Sequence, residues 1–242
     1  MKKPIFFFLG CALLWACSEE ESIILEPENP YLAYQSDFSN HSDGWEGDFA
    51  DLPVNDSIIY ELGFAHLPLP APLDASQNAL MLRGANRSDD LFMYITKKFE
   101  GFVPNKAYNL SLSVKMASDA PWGFVGIGGA PAESVYLKAG LVNKKPAREI
   151  AFDQGFSEGY YVMNIDKGNQ SQSGNDMKVL GDIGFEGEPV YTLIERNNNT
   201  VNIAAKSNAK GELWVIIGTD SGFEGTTKLY YSDIQLFFVN TP

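Results

Sequence analysis

Hydrophobic and polar residues alternate along most of the chain after residue 33. The clearest case is the segment 107–116, where the apolar side chains from Tyr108 to Met116 alternate with polar ones. A period of two predicts a strand with one buried and one solvent-facing side. We expect ordered structure to begin near Tyr34, after a segment rich in proline and acidic residues.

Similar patterns predict about a dozen short strands separated by turn residues. The predicted segments are 57–64, 78–83, 91–99, 107–116, 122–127, 134–138, 148–152, 160–165, 190–196, 200–206, 212–218 and 228–239. Segments 91–99 and 212–218 are apolar on both faces, which predicts central strands. Three asparagines at 197–199 predict a hairpin between the strands on either side, and 166–178 reads as a polar loop.

No segment after residue 17 shows a sustained helical period. Many short strands without helices predict an all-β fold, an antiparallel two-sheet β-sandwich. A jelly roll is the most economical version of it. No internal linker divides the sequence after residue 33, so we predict one domain over 34–242.

The N-terminus has the three parts of a secretory signal. Lys2 and Lys3 are followed by an apolar segment at 5–14, which is too short to span a bilayer, and then by Ala16 and Cys17. The predicted signal peptide is therefore 1–16. An ordinary cleaved signal with an incidental cysteine is the alternative.

The end of this signal resembles a bacterial lipoprotein signal, or lipobox. Leu14 and Ala16 match its pattern, Trp15 departs from it, and Cys11 is a weaker competitor for the lipidated position. The resemblance implies that Cys17 carries a diacylglycerol and anchors the chain to a membrane. Two or three acyl chains together hold a protein stably on a bilayer.

Residues 17–33 read as an acidic tether between the anchor and the domain. The segment 18–21, Ser-Glu-Glu-Glu, resembles the export signal of lipoproteins in Bacteroidota-type cells. That resemblance implies the outer face of the outer membrane and exposure at the cell surface. If the segment is only a solvated spacer, the periplasmic face is the alternative.

Composition excludes several classes of function. The chain carries 18 Lys and Arg against 31 Asp and Glu, and removal of 1–16 deletes two lysines and takes the net charge from −13 to −15. Such a charge argues against binding nucleic acid or an anionic lipid surface. Both cysteines, Cys11 and Cys17, precede the domain, which therefore has no disulfide. Two histidines, His41 and His66, are too few for a multi-histidine metal site.

Three features in order resemble the galactose-binding-like jelly roll of many carbohydrate-binding modules. They are Asp37-Phe38 with Gly44-Trp45, the turn 101–104 leading into 108–112, and the closing segment 229–236. The resemblance implies that the first and last strands are neighbours. In some relatives it also implies a calcium ion, Ca²⁺, at positions matching Asp37 and Asp233. The alternative is a turn residue at Asp37 and an ordinary outward residue at Asp233.

Four residues are candidates for ligand binding. Sugar recognition needs an exposed aromatic face with polar groups nearby, which indicates Trp122 and Trp45 in glycine-containing loops. Asp220 and Glu224 stand in a long glycine-rich segment, 218–227, predicted to be a loop. Gly-Phe-Glu-Gly occurs at both 184–187 and 222–225, which suggests two loops at one end of the fold. The glycines alternatively serve only as turn residues, and each tryptophan as cover for a sheet edge.

These patterns favour a non-catalytic, membrane-anchored extracellular lipoprotein that binds carbohydrate or another ligand. Its partners would be a membrane, through Cys17, and an extracellular glycan or a surface protein. A structural or adhesin-like accessory lipoprotein is the alternative. A glycan-degrading enzyme is least favoured because no Gly-x-Ser-x-Gly or other catalytic set is recognised.

Overall fold

A computed structural model describes residues 32–55, 57–88, 90–152 and 155–240. The predictions for the signal peptide, for Cys17 and for most of the tether lie outside these residues. The strands are β1 (Leu32–Gln35), β2 (Glu46–Ala50), β3 (Leu52–Pro53), β4 (Gly63–Pro68), β5 (Asn78–Ala85), β6 (Leu91–Phe99), β7 (Ala107–Ser118), β8 (Val135–Val142), β9 (Arg148–Ala151), β10 (Tyr160–Met163), β11 (Met177–Asp182), β12 (Thr192–Asn197), β13 (Ile203–Lys206), β14 (Leu213–Ser221) and β15 (Thr226–Asn240). In the described ranges no helix is long and apolar enough to cross a membrane.

Two antiparallel sheets face each other, and a third, small sheet lies beside them. The first has the order β12-β7-β15-β5-β4, the second β11-β8-β14-β6-β2, and the small sheet β3-β10-β9. Strands β5-β15-β7-β12 thus oppose β6-β14-β8-β11, which is the strand order of a jelly roll. The predicted β-sandwich and its jelly-roll form are confirmed.

The first and last strands are neighbours, as the resemblance implied. Strand β1 pairs with the C-terminal half of β15, with Leu32 opposite Phe238 and Gln35 opposite Gln235. Strand β5 pairs with the N-terminal half of β15, over residues 226–231 and along the same edge. The long strand β15 therefore runs from one end of the sandwich to the other.

Alternation in the sequence decides which side chains fill the space between the sheets. In β7 the apolar positions predicted to be buried are buried, and they pack against apolar side chains of β6, β8 and β14. Strands β6 and β14 are also covered on their outer face, where Phe92, Tyr94 and Ile216 form a second cluster. Both strands are therefore central and apolar throughout, as predicted.

Two predicted strands are absent from the structure. Residues 57–64 form a 3₁₀ helix at Ser57–Tyr60 and then enter β4, with Ile58 and Ile59 exposed. Residues 122–127 form a surface loop, with Phe124 exposed. Apolar content suggested strands in both places, but neither segment has a neighbouring strand edge to pair with along its length.

The predicted hairpin across 197–199 is also wrong. Strands β12 and β13 both pair with β7, one after the other along a single edge, and not with each other. Asn198 occupies the gap between them. Its side chain accepts a hydrogen bond from Leu112 N and donates one to Leu110 O, both at 2.7 Å. This buried amide takes the place of the missing ladder bonds.

Candidate functional site

Three loops meet at one end of the sandwich, and we call this surface the rim. It consists of 119–134, 183–191 and 222–225. Trp122 N donates to Phe185 O at 2.9 Å, and Glu224 N donates to Ile127 O at 2.8 Å. The two Gly-Phe-Glu-Gly segments therefore flank the long central loop at one end of the fold, as their repetition suggested.

Trp122 presents part of its ring to solvent at the rim. The side chain is 48 % exposed, and its Nε1–H donates to the Asp182 carboxylate at 3.2 and 3.3 Å. Arg196 in turn contacts Asp182 at 3.4 Å. A Cβ on Gly184 would come within 2.2 Å of the indole nitrogen, so glycine is required for this close approach. The indole is thus fixed with one region open to a ligand.

A cavity of about 190 Å³ lies on the same rim, where Pro121 and Phe124 contribute to its walls and the Trp122 indole does not. Its walls are mostly apolar, and polar groups enter from Asp119, Thr226 and Lys228. Burial raises the pKa of the Asp119 carboxyl, while its hydrogen bond from Tyr191 acts in the opposite direction. Apolar walls with a few polar groups are typical of ligand pockets, although this volume suits one sugar unit and not a long chain.

Apolar side chains extend the rim outward. Phe124 is half exposed, Val125 is 96 % exposed and Ile127 is also largely exposed. Glu224, a predicted binding residue, is exposed on the adjoining loop. The structure therefore brings Trp122 and Glu224 to the same surface, and their role in binding stays a prediction.

Trp45 is not a surface platform. It is 1 % exposed, and its Nε1–H donates to the Tyr34 hydroxyl at 2.9 Å. Tyr34 lies on β1, opposite Leu236 in the C-terminal half of β15, whereas the rim precedes Thr226 at the start of that strand. Trp45 therefore lies buried at the opposite end of the sandwich. The sequence predicted its loop but not the aromatic cover around it.

Asp220 lies in strand β14 and not in a loop, and it is fully buried. Its Oδ2 accepts hydrogen bonds from Lys138 Nζ and Lys167 Nζ at 2.8 Å and from Gln170 N at 2.9 Å. The prediction that Asp220 meets a ligand at the surface is therefore wrong. Its two lysine partners come from distant segments, so no local pattern could identify this buried ion pair.

The calcium prediction concerns a different region. Ser36 N donates to Ile234 O at 2.9 Å. Asp37, just after the end of β1, therefore lies close along the chain to a residue that pairs next to Asp233 in β15. Hydrogen bonds from the Ser39 side chain and from Ser39 N lower the pKa of Asp37. Asp233 accepts bonds from Gln35 and Gln235. Calcium needs six to eight oxygens. Within the described ranges no third acidic or histidine side chain completes a group here, so calcium stays a prediction.

Comparison with known proteins finds distant structural similarities and no matching family. No family model and no curated protein match the chain. It is similar to a Bacteroides thetaiotaomicron protein provisionally named sugar-binding (10 % identity, 78 % of this chain and 86 % of that one, TM-score 0.39). It is also similar to a carbohydrate-binding module that recognises mannan (11 % identity, 86 % and 98 %, TM-score 0.33).

A third similar structure is the enzymatically active domain of tailspike protein 4 from bacteriophage CBA120. The identity is 10 %, the TM-score is 0.33, and the match covers 82 % of this chain but 20 % of that one. Identities and TM-scores at this level carry no functional argument. The function proposed below therefore rests on the chain's own surface.

Proposed function

We propose that this protein is a lipid-anchored extracellular lipoprotein that binds carbohydrate at the rim without catalysing its turnover. The observation that carries the proposal is Trp122, a half-exposed indole that Asp182 fixes on the rim, where an apolar cavity also opens. A rigid aromatic face can stack on a pyranose ring. Polar groups at the cavity edge, including Asp119 and Lys228, can then bond to hydroxyls.

The direction in which the chain enters the domain supports a role at a surface. Strand β1 starts at Leu32, opposite Phe238, while the rim precedes Thr226. The stretch of β15 between them spans about 40 Å at roughly 3.3 Å per residue. A tether from Cys17 would therefore join the domain at the end far from the rim.

A glycan array probed with the purified protein tests the ligand class. We expect neutral oligosaccharides to bind, and Trp122→Ala to abolish the signal. A glycan array without signal, together with an unchanged melting temperature in the presence of oligosaccharides, would contradict the carbohydrate proposal. Turnover of any bound polysaccharide would contradict the non-catalytic part and favour an enzyme.

Anchoring is tested separately from ligand binding. We expect Cys17→Ser to move the protein from the membrane fraction to the soluble fraction, because the lipid acceptor is lost. We expect antibody to label the wild-type protein on intact cells, and alanines at 18–21 to remove that labelling while membrane attachment persists. Labelling only after permeabilisation would indicate the periplasmic face.

An accessory protein that contacts another protein is the second candidate. The exposed Val125 and Ile127 favour it, because neighbouring apolar side chains in solvent often mark protein contacts. Replacing both residues by aspartate separates the candidates. Under the carbohydrate proposal these variants keep glycan binding through Trp122, whereas under the accessory candidate they lose association with the partner in native membranes.

A further inference from the structure

Three aspartates from distant segments meet on the outer face of the second sheet. Asp51, Asp90 and Asp220 each bring one carboxylate oxygen within 4.8 Å of the others. Asp51 lies between β2 and β3, Asp90 precedes β6, and Asp220 is in β14. We call these three residues the carboxylate cluster. The polar loop 164–176 lies over it.

Two lysines supply the positive charge near this cluster. Lys167 Nζ lies 2.7 Å from Asp51 Oδ2 and 2.8 Å from Asp220 Oδ2, and Lys138 Nζ lies 2.8 Å from Asp220 Oδ2. Three ionised carboxylates against two ammonium groups leave one negative charge without a partner. Burial makes such an uncompensated charge costly.

Two buried carboxylate oxygens of this cluster lack a hydrogen-bond donor within the described part of the chain. Asp90 Oδ1 and Asp220 Oδ1 are both buried and accept no hydrogen bond from the described residues. A single proton between the two carboxyls would satisfy one oxygen as donor and the other as acceptor. A divalent metal fits less well, because Lys167 already occupies the position between Asp51 and Asp220.

We infer that Asp90 carries a proton at mildly acidic pH, shares it with Asp220, and thereby keeps the loop 164–176 closed over the sheet. The loop is attached through the groups that surround this proton. Lys138 donates to Lys167 O and Gln172 O at 3.0 Å, and Gln170 N donates to Asp220 Oδ2. Loss of the proton leaves a buried negative charge on Asp90 next to Asp51 and Asp220, and opening of the loop relieves its cost by admitting water.

The electrostatic surroundings of Asp90 agree with this assignment. Burial is the main cause that raises the pKa of its carboxyl, to about 7, and the charge of Asp51 adds to the rise. Lys167 opposes the rise, and Asp220 adds to it. Tyr160, from β10, also faces this charge, and burial keeps its own pKa high.

The sign of the pH effect follows from this raised value. The pKa of Asp90 is about 7 in the folded chain and about 3.9 in the unfolded chain. Its contribution to stability is therefore fully present below about pH 4, is lost as the pH rises to about 7, and is constant above that. Each unit by which the pKa of Asp90 differs between the closed and the open loop corresponds to about a tenfold change in the equilibrium constant for opening.

Amide hydrogen exchange of the loop 164–176 in the purified protein tests the inference. Asp90→Asn mimics the protonated carboxyl, so comparison with it at each pH removes the intrinsic pH dependence of exchange. We expect opening of the wild-type loop, relative to this variant, to increase at least about tenfold from about pH 5 to about pH 8. Glu149→Gln, an exposed substitution on β9, should leave the wild-type profile unchanged.

Two results would overturn the inference. One is a wild-type loop whose opening parallels that of Asp90→Asn across the whole range. The other is a profile that Ca²⁺ or EGTA shifts in the wild type but not in the variant, which would identify a metal as the occupant. If Asp90→Asn fails to fold, the infrared C=O band of a protonated carboxyl in the wild type decides. It must be present near pH 6 and lost near pH 8, and its absence at both refutes the shared proton.

Discussion

Lys138 is a buried cation on the outer face of the second sheet. The side chain is fully buried and donates to the Asp220 carboxylate and to the carbonyls of Lys167 and Gln172. Lys138→Met keeps an unbranched side chain of nearly the same length and removes the charge and all three donated bonds. Burial alone lowers the pKa of Lys138, and the Asp220 charge opposes that effect.

The expected loss of stability follows from the pairing. Removing one partner of a buried ion pair costs about 3–5 kcal/mol, because the other charge stays buried. Lys167 continues to pair with Asp220, so we expect the lower end, about 3 kcal/mol. In a domain of this size each kcal/mol shifts the melting temperature by about 2–4 °C, which gives a fall of about 6–12 °C.

Denaturant unfolding and calorimetry of the purified protein measure this loss. The control is Lys145→Met, which removes an ion pair with Glu46 in which both side chains are more than half exposed. Exposed pairs contribute about 0–1 kcal/mol, so this variant should stay close to the wild type. A loss below about 1 kcal/mol for Lys138→Met, equal to that of the control, would show that the buried Lys138–Asp220 pair contributes no more than an exposed pair.

Three further predictions concern other parts of the fold. Asn198→Ala leaves two buried backbone groups of β7 without partners, so we expect the free energy of unfolding in denaturant to fall by about 1–3 kcal/mol. The exposed control Asn199→Ala should leave it almost unchanged, and equal losses in both variants would contradict the bridging role of Asn198. Trp45→Ala removes a buried indole and should lower the free energy of unfolding by about 3–5 kcal/mol. Glycan affinity at 20 °C or below should stay unchanged, and a loss of affinity without a loss of stability would contradict the remote position of Trp45. EGTA should lower the melting temperature if calcium binds at Asp37 and Asp233, and an unchanged melting temperature would remove calcium from the account.

Strands with strict alternation or with two apolar faces could be predicted from the sequence. Strand β6 has the predicted bounds, and β7 and β14 extend the predicted segments by two or three residues. Local alternation encodes which face is buried, so these strands need no knowledge of the partner. The segment 122–127 is equally apolar, but no sheet edge is available to it, and a local pattern carries no information on available edges.

The candidate site was predictable only in part, for the same reason. Neighbouring turn residues correctly indicated surface loops at Trp122 and Glu224, although the apolar residues after Trp122 wrongly predicted a strand at 122–127. Asp220 has a similar polar and glycine-rich neighbourhood, yet it is buried because Lys138, 82 positions away, neutralises it. Trp45 is buried because Tyr34 and the chain around it close that end of the sandwich. Burial of such residues depends on distant partners, which one sequence does not reveal.

The proposed carbohydrate site at the rim is tested most directly by calorimetric titration of one neutral oligosaccharide selected on the array. The wild type is compared with Trp122→Ala and with Phe237→Ala, which removes a similarly exposed aromatic side chain (46 %) on β15, far from the rim. We expect the affinity to fall more than about tenfold in Trp122→Ala and to stay at the wild-type value in Phe237→Ala. Equal affinity in all three proteins would contradict the proposed site.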